Sequence, residues 1–289
     1  MIKKAGYRYN FINIIVLLIT TISFLDKYIA TEQLFDNIEF LQILILILAV
    51  CMVHAIKAGR LYLALYGSDI SFLTYIKTYC KVTPVSVILP FKIGEFFRMY
   101  CYGRRLNNYL KGIVIIILDR FMDTIALVTM ILLIWAFNGW HITSFVYILL
   151  VFLLVIVSLY MIFPNVYSFW MKYLLSARAT QHRLTALNIL DKLNIIYKEI
   201  TNVSRGRGAI LYFMSLVAWI IEIGSVAILN GFTKEKQLDA EISEYLSSAI
   251  SGNQSIELKR FIFVSILLLV IIYIAVKIVI MVSEKRKQK

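Results

Sequence analysis

Six long apolar runs constrain the fold of this 289-residue chain more than any other feature. They cover residues 11–25, 38–56, 112–137, 142–163, 209–230 and 258–282. A helix of about 20 apolar residues crosses a bilayer. The chain has only three prolines, and the runs do not alternate apolar with polar residues as barrel strands do. Because 61% of the residues are hydrophobic, we predict an all-α, polytopic membrane helix bundle with about six full spans, forming a single membrane domain over residues 1–289.

The charges between the apolar runs indicate how the chain is oriented. The N-terminus, residues 164–208 and the C-terminal tail are basic, whereas residues 26–37 and 231–257 are acidic. Because Lys and Arg are concentrated in cytoplasmic loops, we expect both termini in the cytoplasm and residues 231–257 in an extracytoplasmic acidic loop. The predicted location is the cytoplasmic membrane of a cell. Basic loops account for the net charge of +13, so no nucleic-acid partner is expected.

The basic segment 164–208 contains one strongly patterned stretch, residues 184–200. Its apolar residues recur every three or four positions, at Leu184, Leu187, Leu190, Leu193, Ile196 and Ile200. Polar residues such as Lys192 and Lys198 lie between them. This spacing is typical of an amphipathic helix, and we predict that it lies at the interface on the cytoplasmic leaflet.

The orientation of the loops also constrains residues 61–111. The second run is followed by Lys57 and Arg60, which place its end on the predicted inner face of the membrane, and the third run begins on the same face. Residues 61–111 must therefore cross the membrane an even number of times or not at all. We predict a re-entrant helical hairpin over about 71–105, with its break near Pro84–Gly94, because broken helices are tolerated where protein or a cavity surrounds them. Two full crossings are the alternative.

Charged residues lie close to, or inside, the third apolar run. Glu95 and Arg98 are three apart and share a helix face, while Asp119, Arg120 and Asp123 fall within an arc of roughly 100°. On the scale for membrane insertion, three charges near the middle of a span cost roughly 9 kcal/mol of free energy. The apolar residues of the same run contribute roughly −7 kcal/mol. This polar face must therefore turn away from lipid.

Two interpretations of the charged cluster remain open. It is either an internal salt-bridge network that fixes helix packing, or a polar intramembrane cleft that binds a charged lipid headgroup. In the second case the arginines would hold phosphate, and Glu95, Asp119 and Asp123 would orient them or meet a headgroup amine. Glu222, inside the fifth run, is a candidate to complete the cleft.

The sequence gives no sign of a metal or a cofactor. Cys51, Cys80 and Cys101 show no Cys-x-x-Cys spacing, and the three histidines are isolated from one another. No catalytic residue is assigned, and we expect neither metal nor cofactor.

Seven residues carry a resemblance to a known family. Pro-x-x-x-Gly-Glu-x-x-Arg is followed some twenty residues later by an acid-Arg-x-x-Asp motif: Pro90, Gly94, Glu95 and Arg98, then Asp119, Arg120 and Asp123. This pattern resembles the membrane region of lysylphosphatidylglycerol synthases and of related stand-alone flippase-like membrane proteins, in which Glu usually occupies the position of Asp119. The resemblance covers residues 5–230 and includes a Trp-x-x-Glu pair, Trp219 and Glu222. In it, Pro90 and Gly94 are structural residues of the motif.

The resemblance implies a protein that binds, and in a flippase-like manner translocates, a phospholipid or a lipid-linked headgroup. The family usually continues with a Pro-x-x-Gly-Gly-x-Gly-x-x-Glu stretch and further helices that make a second half. The 289 residues contain neither this stretch nor a large soluble domain for aminoacyl transfer. Two alternatives are a membrane-embedded transferase of lipid or lipid-linked glycan metabolism and a non-catalytic assembly partner. Other membrane proteins or a second copy of the chain are the protein partners considered.

Overall fold

The computed structural model describes residues 2–29, 34–35, 38–89, 93–138, 144–176, 180–229 and 256–287, and this part of the chain is helical, with no strand. The helices are α1 (Ile2–Phe24, continued by a π-helical turn, Leu25–Ile29), α2 (Phe40–Ala64), α3 (Phe72–Ile88), α4 (Ile93–Arg105), α5 (Tyr109–Asn138), α6 (Ser144–Leu175), α7 (Gln181–Ser204), α8 (Gly208–Leu229) and α9 (Ile256–Lys287). The all-α prediction is confirmed.

Within the described residues, five segments are long and apolar enough to cross a membrane: Tyr9–Tyr28, Phe40–Ala64, Tyr147–Leu175, Gly208–Val226 and Leu258–Lys285. They correspond to five of the six predicted spans, so the chain is a multi-pass membrane protein. Helix α5 has 30 residues, a length sufficient to span, but it carries Asp119, Arg120 and Asp123 and is not among the five. A sixth span and the orientation of the termini stay predictions.

Large apolar side chains on the outer surface are exposed, as expected where lipid replaces water. On α6, for example, Leu154 and Met161 are exposed. Helix α6 also continues through Pro164 to Leu175, beyond the end at residue 163 that the sequence predicted.

The buried core lies where α2, α3, α4, α5, α8 and α9 pack together. Helix α2 packs against α8, α3 against α9, and α4 against α5. The fully buried side chains include Leu61, Tyr75, Tyr102, Ile115 and Ile116. These helices also carry the charged cluster, so the cluster is positioned by the best-packed part of the protein.

Helices α3 and α4 pack against each other across a short connection, at the position where the sequence predicts a hairpin. Pro84 lies inside α3, which continues to Ile88, and α4 begins at Ile93. Pro90 lies outside the described residues. With 17 and 13 residues, the helices are about 26 and 20 Å long, shorter than the ~30 Å core of a bilayer. Re-entrance stays a prediction.

Two glycine positions permit the close approach of α4 to its neighbours. A Cβ at Gly94 would lie 2.4 Å from the Cα of Ser86 and from the carbonyl oxygen of Val85 on α3. A Cβ at Gly112 of α5 would lie 2.4 Å from the backbone nitrogen of Gly103. Any side chain at these positions would force the helices apart, so glycine sets how closely α4 lies against α3 and α5.

The segments outside the bundle are described in part. The amphipathic stretch predicted at 184–200 lies within α7, whose Tyr197 ring stacks against Phe163 and packs at a tilt against Tyr160 of α6. Its position at the membrane interface stays a prediction. The predicted acidic loop 231–257 lies outside the described residues except for its last two, which begin α9.

Candidate functional site

An ion-pair network joins α2, α4, α5 and α8 in the middle of the fold. At its centre, Arg60 of α2 reaches two carboxylates of α5. Its Nε donates to Asp119 Oδ1 at 2.9 Å, and its Nη2 lies 2.7 Å from the same oxygen. Its Nη1 donates to Asp123 Oδ1 and to the Ser215 hydroxyl of α8. Arg60 is 3% exposed, so it is a buried cation neutralised by carboxylates from a neighbouring helix.

Arg98 of α4 is the second buried cation of the network and is also 3% exposed. Its Nη2 lies 3.2 Å from Asp119 Oδ2, and its Nη1 lies 3.6 Å from Glu95 Oε2, one turn earlier on the same helix. Asp119 therefore lies between two arginines, Arg60 and Arg98, that come from different helices. A carboxylate shared in this way fixes the positions of both side chains.

Arg120 lies at the edge of the network. Its Nη2 is 3.0 Å from Glu95 Oε1 and its Nη1 is 3.7 Å from Asp123 Oδ2. Its side chain is 46% exposed, in contrast to the two buried arginines. Arg98 and Arg120 thus meet at one residue, Glu95, with Arg98 on the buried side and Arg120 on the open side. The structure brings together all five residues of the cluster singled out from the sequence.

Glu222 of α8 forms an ion pair with Lys57 of α2, beside the arginine network. Its Oε2 accepts a hydrogen bond from Lys57 Nζ of α2 at 2.6 Å. The same ammonium lies 5.6 Å from the ring centroid of Trp219, and Trp219 Nε1 donates to the backbone carbonyl of Asp123 at 3.2 Å. Trp219 therefore connects the Lys57–Glu222 pair to the network on α5.

Sequence reasoning missed Lys57 and Arg60 as members of this site, because it read them as orientation charges at the inner end of the second span. Helix α2 continues past both to Ala64 and buries Arg60. A signal was available in the charge balance. The predicted set contains four carboxylates and only two arginines, so two further cations had to be found on neighbouring helices if the carboxylates were to be buried.

The completed set is electrically balanced. Three arginines face the carboxylates Glu95, Asp119 and Asp123, and Lys57 faces Glu222. Balance removes the largest part of the cost of burying these groups at membrane depth.

Hydrogen bonding in the network is incomplete on the side of α4. Among the described residues, Arg98 Nε and Nη1, Glu95 Oε2, Asp119 Oδ2 and the Tyr102 hydroxyl are buried without a hydrogen-bond partner, although the charged groups are ion-paired. These atoms retain hydrogen-bonding capacity on the buried side of the network. No group of three or more His, Cys, Asp or Glu in the described ranges is arranged to hold a metal ion.

Comparison with known proteins gives the family. The family model for the lysylphosphatidylglycerol synthase TM region matches residues 12–231, which include the whole ion-pair network. No curated protein and no solved structure matches the chain. The match confirms the resemblance carried by the Gly-Glu-x-x-Arg and Asp-Arg-x-x-Asp motifs. The chain is a lipid-related integral membrane protein and belongs to the lysylphosphatidylglycerol synthase transmembrane-region family.

Proposed function

We propose that the chain binds the headgroup of a charged phospholipid, or of a lipid-linked compound, at the network of α4 and α5 and moves it across the membrane. The observation that carries this proposal is the exposure of Arg120. Two arginines of the network are buried and held by Asp119, whereas the Arg120 guanidinium is 46% exposed and makes ion pairs of 3.0 and 3.7 Å. An exposed guanidinium beside a buried polar network is suited to accept a phosphate from outside.

The charge balance of the network favours a zwitterionic headgroup. A phosphate that binds Arg120 takes the place of Glu95 and Asp123 at this guanidinium. The two carboxylates then lose the positive charge of Arg120 as a partner. A headgroup amine next to the phosphate supplies that cation, so the exchange keeps the site neutral in a medium where net charge is costly. An anionic headgroup without an amine leaves the site with one negative charge too many.

Each residue of the network then has a separate role. Arg120 binds the phosphate, and Glu95 and Asp123 accept hydrogen bonds from the amine. Arg60 and Arg98 act as positioning residues because they hold Asp119 and, through Arg98, Glu95.

The test is movement of a labelled lipid in vesicles that contain the purified protein. Phosphatidylethanolamine with a fluorescent acyl chain is distributed over both leaflets, and a membrane-impermeant quencher reports the fraction that reaches the outer leaflet. We expect protein-dependent movement, reduced about tenfold or more by Arg120→Gln, because a hydrogen bond to a charged group contributes about 1.5–3 kcal/mol.

Lys192→Gln, which removes an exposed charge on α7, is the matched control and should move lipid at the rate of the unchanged protein. Phosphatidylglycerol with the same fluorescent acyl chain should move more slowly than phosphatidylethanolamine, because it brings no amine. Equal rates for Arg120→Gln and the unchanged protein, in vesicles with equal protein content, would overturn the proposal.

A further inference from the structure

Five polar atoms on the buried side of the ion-pair network have no hydrogen-bond partner within the described part of the chain. Three of them are donors and two are acceptors: Arg98 Nε and Nη1 and the Tyr102 hydroxyl, then Glu95 Oε2 and Asp119 Oδ2. Arg98 is 3% exposed and Tyr102 is 0% exposed. Buried polar groups are nearly always hydrogen-bonded, either to protein or to ordered water. These five atoms therefore indicate a partner other than the protein.

Helix α4 places three of these groups on one face. Glu95, Arg98 and Tyr102 are separated by three and four positions, the spacing of neighbours along one side of a helix. Arg98 Nη2 lies 3.2 Å from Asp119 Oδ2, so this face of α4 meets α5 at that carboxylate. The Tyr102 hydroxyl interacts electrostatically with both Arg98 and Asp119. The five atoms thus belong to one place, the contact of α4 with α5.

The ion pairs of Arg98 are longer than those of Arg60. Arg98 lies 3.2 Å from Asp119 Oδ2 and 3.6 Å from Glu95 Oε2, and neither oxygen accepts a hydrogen bond from it. Arg60, in contrast, lies 2.7 and 2.9 Å from Asp119 Oδ1, the range of charge-assisted hydrogen bonds. Arg98 therefore neutralises its two carboxylates without satisfying their lone pairs.

Two neighbouring tyrosines show how the other hydroxyl groups of this core are satisfied. The Tyr75 ring centroid lies 6.2 Å from that of Tyr79 and 6.3 Å from that of Tyr102. The Tyr75 hydroxyl donates to the Ala58 carbonyl, and the Tyr79 hydroxyl lies 3.2 Å from His54 Nδ1 in a hydrogen bond. Of these three buried hydroxyls, the one on the side of the ion-pair network lacks a partner.

The chemistry of the five atoms determines which ligand fits. Because they include N–H and O–H donors as well as carboxylate acceptors, the ligand must both accept and donate hydrogen bonds. The network is already neutral, with three arginines against three carboxylates, so a bound ion would leave an uncompensated buried charge. Water is uncharged, accepts and donates, and when buried makes about three hydrogen bonds to groups of this kind.

We propose that bound water, as one or more molecules, lies between α4 and α5 on the buried side of the network, where it accepts hydrogen bonds from Arg98 and Tyr102 and donates to Asp119. Glu95 Oε2 is a further acceptor. The water completes the hydrogen bonds of the carboxylate that holds both Arg60 and Arg98. This site goes beyond the proposed function, since it takes a different ligand on the side of the network away from Arg120.

Radiolytic footprinting of the purified full chain in detergent tests the site. A brief X-ray exposure splits water into hydroxyl radicals, which oxidise side chains next to the water from which they form, including side chains that bulk solvent does not reach. Tandem mass spectrometry locates the oxidation to single residues. We expect Tyr102, at 0% exposure, to be oxidised several-fold faster than Tyr75, at 1% exposure, whose hydroxyl already donates to a carbonyl.

Tyr75 is the matched control, because it is the same type of residue in the same core cluster with nearly the same burial. Tyr66, which is 69% exposed, reports the rate of oxidation by bulk solvent. Oxidation of Tyr102 at a rate no higher than that of Tyr75 overturns the proposal.

A second measurement is the melting temperature of Tyr102→Phe, which loses the hydroxyl and keeps the ring beside Tyr75. If the hydroxyl donates to bound water, its loss leaves hydrogen bonds of the site unmade, and the melting temperature should fall by several degrees. Removal of a buried hydroxyl that has no partner would instead relieve a desolvation cost. Tyr66→Phe, at an exposed position, should melt as the unchanged chain does. A melting temperature of Tyr102→Phe equal to or above that of the unchanged chain contradicts the water site.

Arg120→Gln separates this site from the proposed lipid site. Arg120 pairs with Glu95 and Asp123 on the open side, so its loss should slow lipid movement and leave the oxidation of Tyr102 relative to Tyr75 unchanged. Lipid movement by a chain whose Tyr102 is not preferentially oxidised would overturn the water site alone. Preferential oxidation of Tyr102 in a chain that moves no lipid would overturn the proposed function alone.

Discussion

At the scale of single residues, the organising side chain is Arg60. It pairs with Asp119 and Asp123 of α5 and also donates to Ser215 of α8, so one guanidinium joins three helices. A planar guanidinium with five N–H groups can satisfy all of these acceptors at once, which a lysine ammonium cannot do with the same geometry. Arg60 is therefore expected to contribute to the stability of the fold as well as to the arrangement of the site.

Removal of Arg60 gives the first prediction at this scale. Arg60→Met leaves two buried carboxylates without their main cation, and breaking a buried pair in this way costs about 3–5 kcal/mol. We expect a clear fall in the melting temperature in detergent, measured by intrinsic fluorescence. The fall should be smaller for Arg60→Lys, which keeps the positive charge but lacks the planar guanidinium with its several N–H donors. Lys192→Met serves as the control, with an unchanged melting temperature. An Arg60→Met protein as stable as the unchanged chain would contradict the central place of this residue.

At the scale of helices, the site depends on how closely α4 approaches its two neighbours. Glu95 and Arg98 of α4 reach α5 only because Gly103 and Gly112 bring the backbones of the two helices into contact. In a membrane, where apolar surface gains little from helix association, small residues at an interface contribute through close packing. The glycines therefore act on function through the distance between α4 and α5.

Substitution of Gly112 tests this dependence. In Gly112→Ala the new Cβ would lie 2.4 Å from the Gly103 nitrogen, so α4 and α5 must separate. We expect a lower melting temperature and slower lipid movement, because Glu95 is drawn away from Arg120. Gly224→Ala is the matched control within α8, where the added Cβ has open space and alanine favours the helix by up to about 1 kcal/mol. If the two alanine variants have the same stability and the same activity, close contact of α4 and α5 is not required.

At the scale of the whole molecule, the balanced network and the five apolar helices together describe a membrane protein with a polar centre. The surface that faces lipid is rich in exposed Leu, Ile, Val and Phe, and the charged groups are collected on the inner faces of α2, α4, α5 and α8. This separation is the arrangement that the low dielectric of a bilayer imposes.

The hairpin prediction is tested by labelling single cysteines, in a chain whose Cys51, Cys80 and Cys101 are replaced. We expect Ser71→Cys and Asn107→Cys, at the two ends of the hairpin, to react with a membrane-impermeant maleimide only from the cytoplasmic side. Ile93→Cys, at the exposed start of α4, should not react from the opposite side, because a re-entrant tip stays within the bilayer. Reaction of Ile93→Cys from outside would instead show two full crossings.

The sequence by itself determined the class of the protein, the family motif and the grouping of the charges along each helix. Apolar runs of spanning length and the 3.6-residue period suffice for these conclusions, because they depend on contacts within one helix and on the solvent around it. Thus spacing alone assigns Asp119, Arg120 and Asp123 to one face and predicts a helix at 184–200, within the bounds of α7.

Only the tertiary structure decided which charges pair with which. The partners of Asp119 come from positions 60 and 98, and Glu222 pairs with Lys57, 165 residues earlier in the chain. These pairs depend on the rotation and the separation of neighbouring helices, which are set by packing at positions such as Gly94 and Gly112. The different exposure of Arg98 and Arg120 has the same origin, since identical side chains near one carboxylate differ only in the neighbours that cover them.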